Sequence, residues 1–429
     1  MISSLPLSPI RALSGRLAVP GDKSISHRYV LFGALAAGRT RITHLSPGAD
    51  VRASLHCVET LGATVTQQDG MVIVGGWGDA GPHSPDSPLD CMNSGTTMRL
   101  LLGILAGYPV TATLVGDASL SGRPMRRVLD PLVAMGASVE SQEGRAPIVA
   151  RGGALHGLEW TPMAASAQIK SAILLAGLRA NGTTVVHEPA ATRDHTERAF
   201  PLFNLRSDVD GLTVSVRGGQ CATAPADPLR VPGDPSSAAV WAAMAAALPG
   251  SDVVLTDVAL NPRRLGFVAA LQRLGAAVTV TTERELGGEP VGAIQVTYDT
   301  CRDTTIVAAE VPGLIDELPV LAACAAFGRR LEVHGAEELR VKESDRITAL
   351  VTGLRGLGVR AEEYPDGFLI DGHAGAPTGG HVDAVHDHRL VMAFALVALG
   401  ATGPSVIDSA DSVAVSYPGF LADLRHLST

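Results

Sequence analysis

Val19-Pro20-Gly21-Asp22-Lys23-Ser24 returns as Val231-Pro232-Gly233-Asp234-Pro235-Ser236, 212 residues later (231 − 19), close to half of the 429-residue chain. A turn repeated at the midpoint implies two copies of one architecture, because self-similarity at long spacing marks a duplicated structural unit. The first copy has Lys23 where the second has Pro235. The scaffold is shared and the chemistry is not, so the asymmetry locates a site.

The repeat is finer than two halves. A phrase ending in Leu-Gly-Ala, or close to it, occurs at residues 58–65, 132–139, 271–278 and 354–359, with a degenerate copy at 200–205 and a last helix at 420–427. Taking Leu61, Met135, Leu205, Leu274, Leu357 and Leu427 as markers gives steps of 74, 70, 69, 83 and 70 residues. The glycine reads as a helix stop, and the β-branched residues after it start a strand.

A second phrase interleaves with the first. Six apolar segments open on small polar or charged residues, near Lys23-Ser24-Ile25-Ser26, Asn93-Ser94-Gly95-Thr96, Ser166-Ala167-Gln168-Ile169, Pro235-Ser236-Ser237-Ala238, Asp316-Glu317-Leu318 and Asp387-His388-Arg389. A helix apolar all round belongs inside a domain. Each of six units should therefore hold one buried helix, one amphipathic helix and several short strands, an α/β arrangement with three units per domain.

Composition narrows the function. The net charge of −9 argues against nucleic acid and anionic membrane as general partners. The N-terminal twenty residues have no apolar signal core. The apolar stretches at 240–248 and 390–399 are too short to span a bilayer. Five scattered cysteines, Cys57, Cys91, Cys221, Cys301 and Cys324, form no CxxC pair and fit free buried thiols in a reducing cytoplasm.

Buried helices with polar N-termini point to anionic ligands. Each N-terminus offers unpaired N–H groups and about half a positive charge. At Ser236 and Ser237 the simpler expectation is that the hydroxyls cap their helix. Around Lys23, Asn93 and Ser166 the added basic and amide groups favour a ligand. Lys23, Arg28, Arg99, Arg123, Arg193, Lys342, Arg346 and Arg389 all stand in or beside these turns. Arginine gives bidentate recognition of phosphate and carboxylate, and lysine a compact charge. Asp316, at a helix start, and Glu343, between Lys342 and the Asp345-Arg346 pair, are candidate bases or relays.

Several familiar signals are absent. Gly21-Asp22-Lys23-Ser24 lacks the upstream glycine of a phosphate-binding P-loop, and no GxGxxG loop is present. His386-Asp387-His388 and Asp194-His195 complete no metal ligand set, so no metal and no cofactor are expected. No GxSxG elbow stands in the right setting.

The ordered motifs resemble those of the 5-enolpyruvylshikimate-3-phosphate synthases, within the enolpyruvyl transferases. They are Pro20-Gly21-Asp22-Lys23-Ser24-Ile25-Ser26-His27-Arg28, Asn93-Ser94-Gly95-Thr96-Thr97-Met98-Arg99, Ser121-Gly122-Arg123-Pro124-Met125, Ser166-Ala167-Gln168-Ile169-Lys170-Ser171, Asp316-Glu317-Leu318-Pro319, Arg340-Val341-Lys342-Glu343-Ser344-Asp345-Arg346 and Asp387-His388-Arg389. The resemblance implies an inside-out α/β barrel of two domains, each of three βαβαββ units, with buried helices directed at the interdomain cleft. One domain would join residues 1–19 to 232–429 and the other span 20–231, with hinges near 19–20 and 231–232.

The resemblance also implies the chemistry: transfer of the enolpyruvyl group of phosphoenolpyruvate to the 5-hydroxyl of shikimate 3-phosphate, with release of phosphate. Lys23, Ser24, Arg28, Ser166, Ala167, Gln168, Arg193, Asp316 and Lys342 would hold shikimate 3-phosphate. Lys23, Gly95, Arg123, Gln168, Arg346 and Arg389 would hold phosphoenolpyruvate. Asp316, Glu343 and Lys23 would move protons. A cytoplasmic monomer is expected.

Ser166-Ala167-Gln168 follows the second class of these enzymes, which elsewhere read Ser-Ser-Gln. The stretch Val413-Ala414-Val415-Ser416-Tyr417-Pro418 lacks the lysine that some members carry. Gly95 leaves room where an alanine accompanies glyphosate tolerance in some relatives. A sister family acting on UDP-N-acetylglucosamine has Lys-Asn near its start and a reactive cysteine; here Ser24 and Ala118 stand in those places. A non-catalytic anion-binding module remains the alternative of a different kind, and it would not need Asp316 or Glu343.

Overall fold

The computed structural model describes residues 3–428; Met1, Ile2 and Thr429 lie outside the described residues. The chain divides into two compact units. One comprises Gly21–Val231 together with Leu286–Glu289, the tip of a long hairpin; the other takes in the segment ending at Pro20, Pro232–Glu285 and the segment from Pro290 onward. Among the described residues there are six small sheets, three in each unit, and none closes into a barrel.

One pattern recurs within them. Leu89–Asp90 and Thr111–Val115 run parallel and are bridged by the Gly95–Ala106 helix. The Arg126–Ala134 helix then leads to a hairpin of Ser138–Gln142 and Arg145–Arg151, which completes the sheet. The sheets containing Thr183–His187 and Arg330–Val333 repeat this order. Two sheets borrow an edge strand distant in sequence: Leu229–Arg230 lies parallel to Arg39–Thr43, and Ser14–Ala18 lies parallel to Asp252–Ala259. The last sheet is closed off by the N-terminal strand Ser4–Leu7, antiparallel to Ser405–Asp408.

The glycine stops behave as the repeat predicts. Gly62, Gly136, Gly275 and Gly358 follow amphipathic helices with φ of 99°, 112°, 97° and 84°, a left-handed region that costs glycine little. The degenerate copy uses Asn204, at φ 58°, after a 3-10 turn at Phe200–Phe203 that contains Pro201. The preceding helix, His195–Ala199, is accordingly a single turn.

The six apolar helices form the cores. All thirteen residues of Pro235–Ala247 are buried, as are His388 through Leu399 of the His388–Gly400 helix. Gly103 permits close helix packing: a Cβ there would stand 2.3 Å from the Ala172 carbonyl oxygen. Five helices are capped by the side chain just before them: Asp22, Ser94, Ser166, Asp234 and Asp387 accept from backbone N–H groups of the first turn. The sixth, Leu318–Ala325, has no side-chain cap.

This corrects the expectation for Ser236 and Ser237. Pro235 is the first helical residue, so both serines lie inside the helix and Asp234 caps it. Among the described residues no helix is long and apolar enough to cross a membrane. All five cysteines are unpaired, but Cys221 and Cys301 are exposed rather than buried.

Candidate active site

In the unit containing Gly21–Val231, the repeated turn begins the Lys23–Leu35 helix, and Lys23 Nζ lies 2.9 Å from Asp50 Oδ2. Asp50 is also tied to the next apolar helix: Thr97 Oγ1 donates to its carbonyl oxygen at 3.3 Å. That helix starts at Gly95, where a Cβ would meet Arg99 Nη1 at 2.6 Å and Arg123 Nη1 at 3.3 Å. Arg123, nearly buried, donates to Asn93 Oδ1 at 2.6 Å and to Ser119 Oγ at 3.3 Å. Asn93 in turn donates to Asp117 Oδ2 at 2.7 Å. Gln168 accepts from Arg99 at 2.7 Å and donates to Thr96 Oγ1 at 2.8 Å. Lys23, Gly95, Arg123 and Gln168 are thus assembled around residues 93–97.

Arg28 is more committed to the protein than a simple substrate ligand. Its Nε donates to Thr196 Oγ1, its Nη1 to the Ser24 carbonyl and its Nη2 to Ser171 Oγ, at 2.7, 2.8 and 2.8 Å. Ser171 Oγ also donates to the Ala167 carbonyl at 2.6 Å. Ser24, Ala167 and the start of the Ser166-capped helix are therefore held by one guanidinium. Burial pushes Arg28 down to about 10, against the opposing pull of Glu197 and Asp22, so it stays charged at neutral pH. Arg193 is partly exposed and near enough to add to that depression. Burial, then Lys23 and Arg28, holds His27 well below its ordinary value, so its ring is neutral there.

Beneath these groups Lys170 is fully buried, with Glu188 Oε1 at 2.8 Å and Glu197 Oε1 at 2.6 Å. Asp194, His195 and Glu289 bring ligand-type atoms within 4.8 Å of one another. Arg198 Nε stands 2.9 Å from Asp194 and 3.8 Å from Glu289. With a guanidinium already balancing both carboxylates, the cluster is an ion-pair network and suits a metal cation poorly.

In the other unit, Asp316 does not cap the helix it precedes. Its carboxylate faces Arg346 Nη1 at 3.7 Å and Arg389 Nη2 at 3.5 Å, while Arg389 Nη1 donates to its carbonyl oxygen at 2.9 Å. Arg346 is fully buried, paired with Glu343 at 2.5 Å and with Asp387 at 2.7 Å. Burial alone would lower Arg346, but Asp387, Glu343 and Asp316 outweigh it and raise it. Asp387, whose burial would raise it, is instead lowered by Arg346. Burial pushes Lys342 down, with Asp316 and Glu343 opposing. Asp316, Lys342, Glu343, Arg346 and Arg389 form a second cluster of fixed cations around two carboxylates.

Sequence reasoning missed Asp50 and Glu188 as partners of Lys23 and Lys170, and Asp117 as the partner of Asn93, since these contacts span 18 to 27 residues. Asp387 was visible as a motif residue, but its hold on Arg346, 41 residues away, was not.

A sequence model of the family described as EPSP synthase (3-phosphoshikimate 1-carboxyvinyltransferase) matches residues 7–424. A protein of Acidithiobacillus ferrooxidans named 3-phosphoshikimate 1-carboxyvinyltransferase is 49% identical over 419 residues, covering 96% of this chain and 95% of the relative. One of that name from Geobacillus kaustophilus is 47% identical, with 97% and 98% covered. The solved structure of an EPSP synthase from Acinetobacter baumannii is similar at a TM-score of 0.86 and 39% identity, covering 99% of this chain and 98% of that one.

Proposed function

The chain belongs to the EPSP synthase family, and we propose that its two charged clusters, one in each unit, carry out the family's reaction. It transfers the enolpyruvyl group of phosphoenolpyruvate to the 5-hydroxyl of shikimate 3-phosphate and releases phosphate, a step of aromatic amino acid biosynthesis. The observation that carries the residue assignment is Asp316, a carboxylate set between two guanidinium groups at 3.5 and 3.7 Å.

Shikimate 3-phosphate is held by Lys23, Ser24, Ser166, Ala167, Gln168, Arg193, Asp316 and Lys342, with Arg28 fixing the turns at Ser24 and Ala167. Lys23, Gly95, Arg123, Gln168, Arg346 and Arg389 receive phosphoenolpyruvate. Asp316 takes the proton of the 5-hydroxyl as the oxygen attacks the enol carbon. Glu343 or Lys23 delivers a proton to the methylene, giving a tetrahedral adduct. A proton then leaves the resulting methyl group for the same base as the C–O bond to phosphate breaks, which releases phosphate and restores the enol ether. The cations supply charge balance, and their hydrogen bonds inside the protein hold them in place beforehand, so little reorganisation is needed.

The inside-out barrel and the hinges near 19–20 and 231–232 belong to the same proposal. Its test is phosphate release. Release with shikimate 3-phosphate and phosphoenolpyruvate, and none when UDP-N-acetylglucosamine replaces the former, is expected; the converse overturns it.

A further inference from the structure

The repeated turn of the second half, where Pro235 replaces Lys23, is closed on side chains of its own. Asp234 accepts from the Ser236 N–H at 2.7 Å. The Ser236 hydroxyl donates to the Glu317 carboxylate. Arg264 Nη2 donates to Ser236 Oγ at 2.8 Å and lies 3.3 Å from Asp234 Oδ1 and 4.0 Å from Glu317 Oε1. All four residues are buried, Arg264 and Glu317 to 2% exposure. Two buried carboxylates demand a cation, and Arg264 supplies it.

Glu317 directly follows Asp316 and stands at the N-cap of the Leu318–Ala325 helix without capping it. Its carboxylate is spent on Ser236 and Arg264 instead. The Asp316 carbonyl is held by Arg389 at 2.9 Å. The two-residue turn is thus fixed at both ends. Resting on the reading of Asp316 as the base, we infer that Arg264, Ser236 and Glu317 are positioning residues that set the Asp316 carboxylate. The duplicated turn serves as an anion site in one half and as a brace in the other.

The test uses full-length Glu317→Gln and Ser236→Ala, with thermal melts to show that each folds. Each should lower kcat by about ten- to a hundredfold, the scale of a small misplacement of a reacting group. The KM of phosphoenolpyruvate should stay within about twofold, and that of shikimate 3-phosphate should change less than kcat, because Asp316 is only one of several groups that hold it. Arg264→Lys keeps the charge but gives up the guanidinium fork, so a loss of kcat smaller than that of Glu317→Gln is expected. In an Asp316→Ala background, Glu317→Gln should cost nothing further, since its effect runs through Asp316. Parental kcat in both single variants, or losses that multiply in that background, overturns the positioning role and leaves Asp316 as the base. Parental turnover by Asp316→Ala overturns the base assignment and this inference together.

Discussion

Arg346 donates its Nε to Asp387 Oδ2 at 2.7 Å, with both side chains withdrawn from solvent. The pair sets a guanidinium in place before any substrate arrives, 3.7 Å from Asp316. Asp387→Asn leaves that buried charge less balanced. Breaking a buried pair costs about 3–5 kcal/mol, so a lower urea midpoint with an unchanged slope is expected at pH 7. Asp387 is depressed in the folded state. Its stabilisation is therefore full above the ordinary carboxylate range and is lost as pH falls through the depressed value. The gap between parent and variant should narrow below about pH 4. Equal midpoints at pH 7 would contradict this.

Burial lowers Lys342 from its ordinary value. If its charge holds shikimate 3-phosphate, that substrate's KM should begin to rise at a pH below the ordinary lysine value of about 10.4. Lys342→Arg should hold its KM to higher pH, because guanidinium does not deprotonate there. Steady-state KM between about pH 7 and 10 checks this, and identical profiles would count against it.

Gly95→Ala places a methyl 2.6 Å from Arg99 Nη1 and 3.3 Å from Arg123 Nη1. Both guanidiniums are hydrogen-bonded, to Gln168 and Asn93, so they yield only by loosening the anion subsite. The variant should be inhibited less by glyphosate and should bind phosphoenolpyruvate more weakly. Equal inhibition constants would refute the crowding argument.

The hinge proposal predicts that shikimate 3-phosphate with glyphosate reduces the radius of gyration in small-angle scattering. Unchanged scattering at saturating ligand would remove it.

Repetition was the most legible feature of the chain. The glycines at 62, 136, 275 and 358 announced helix ends because left-handed backbone favours one residue type. Asn204 does the same work, which is why the third copy reads as degenerate. The polar starts of the buried helices were legible too, since caps are local. Ser236 misled because a serine near a helix start has two uses, and the competition with Asp234 and the pull of Glu317 are visible only in three dimensions. Lys23 and Arg28 stood out by type and position. Their partners Asp50, Ser171 and Thr196 did not, because no periodicity links residues brought together by sheet and helix packing.

In the proposed reaction Asp316 is the base that receives the 5-hydroxyl proton. Phosphate release by Asp316→Ala with both substrates at saturation tests it directly. A loss in kcat of about a hundred- to ten-thousandfold, the usual worth of a general base, is predicted, with shikimate 3-phosphate still bound. Turnover at the parental rate would contradict it.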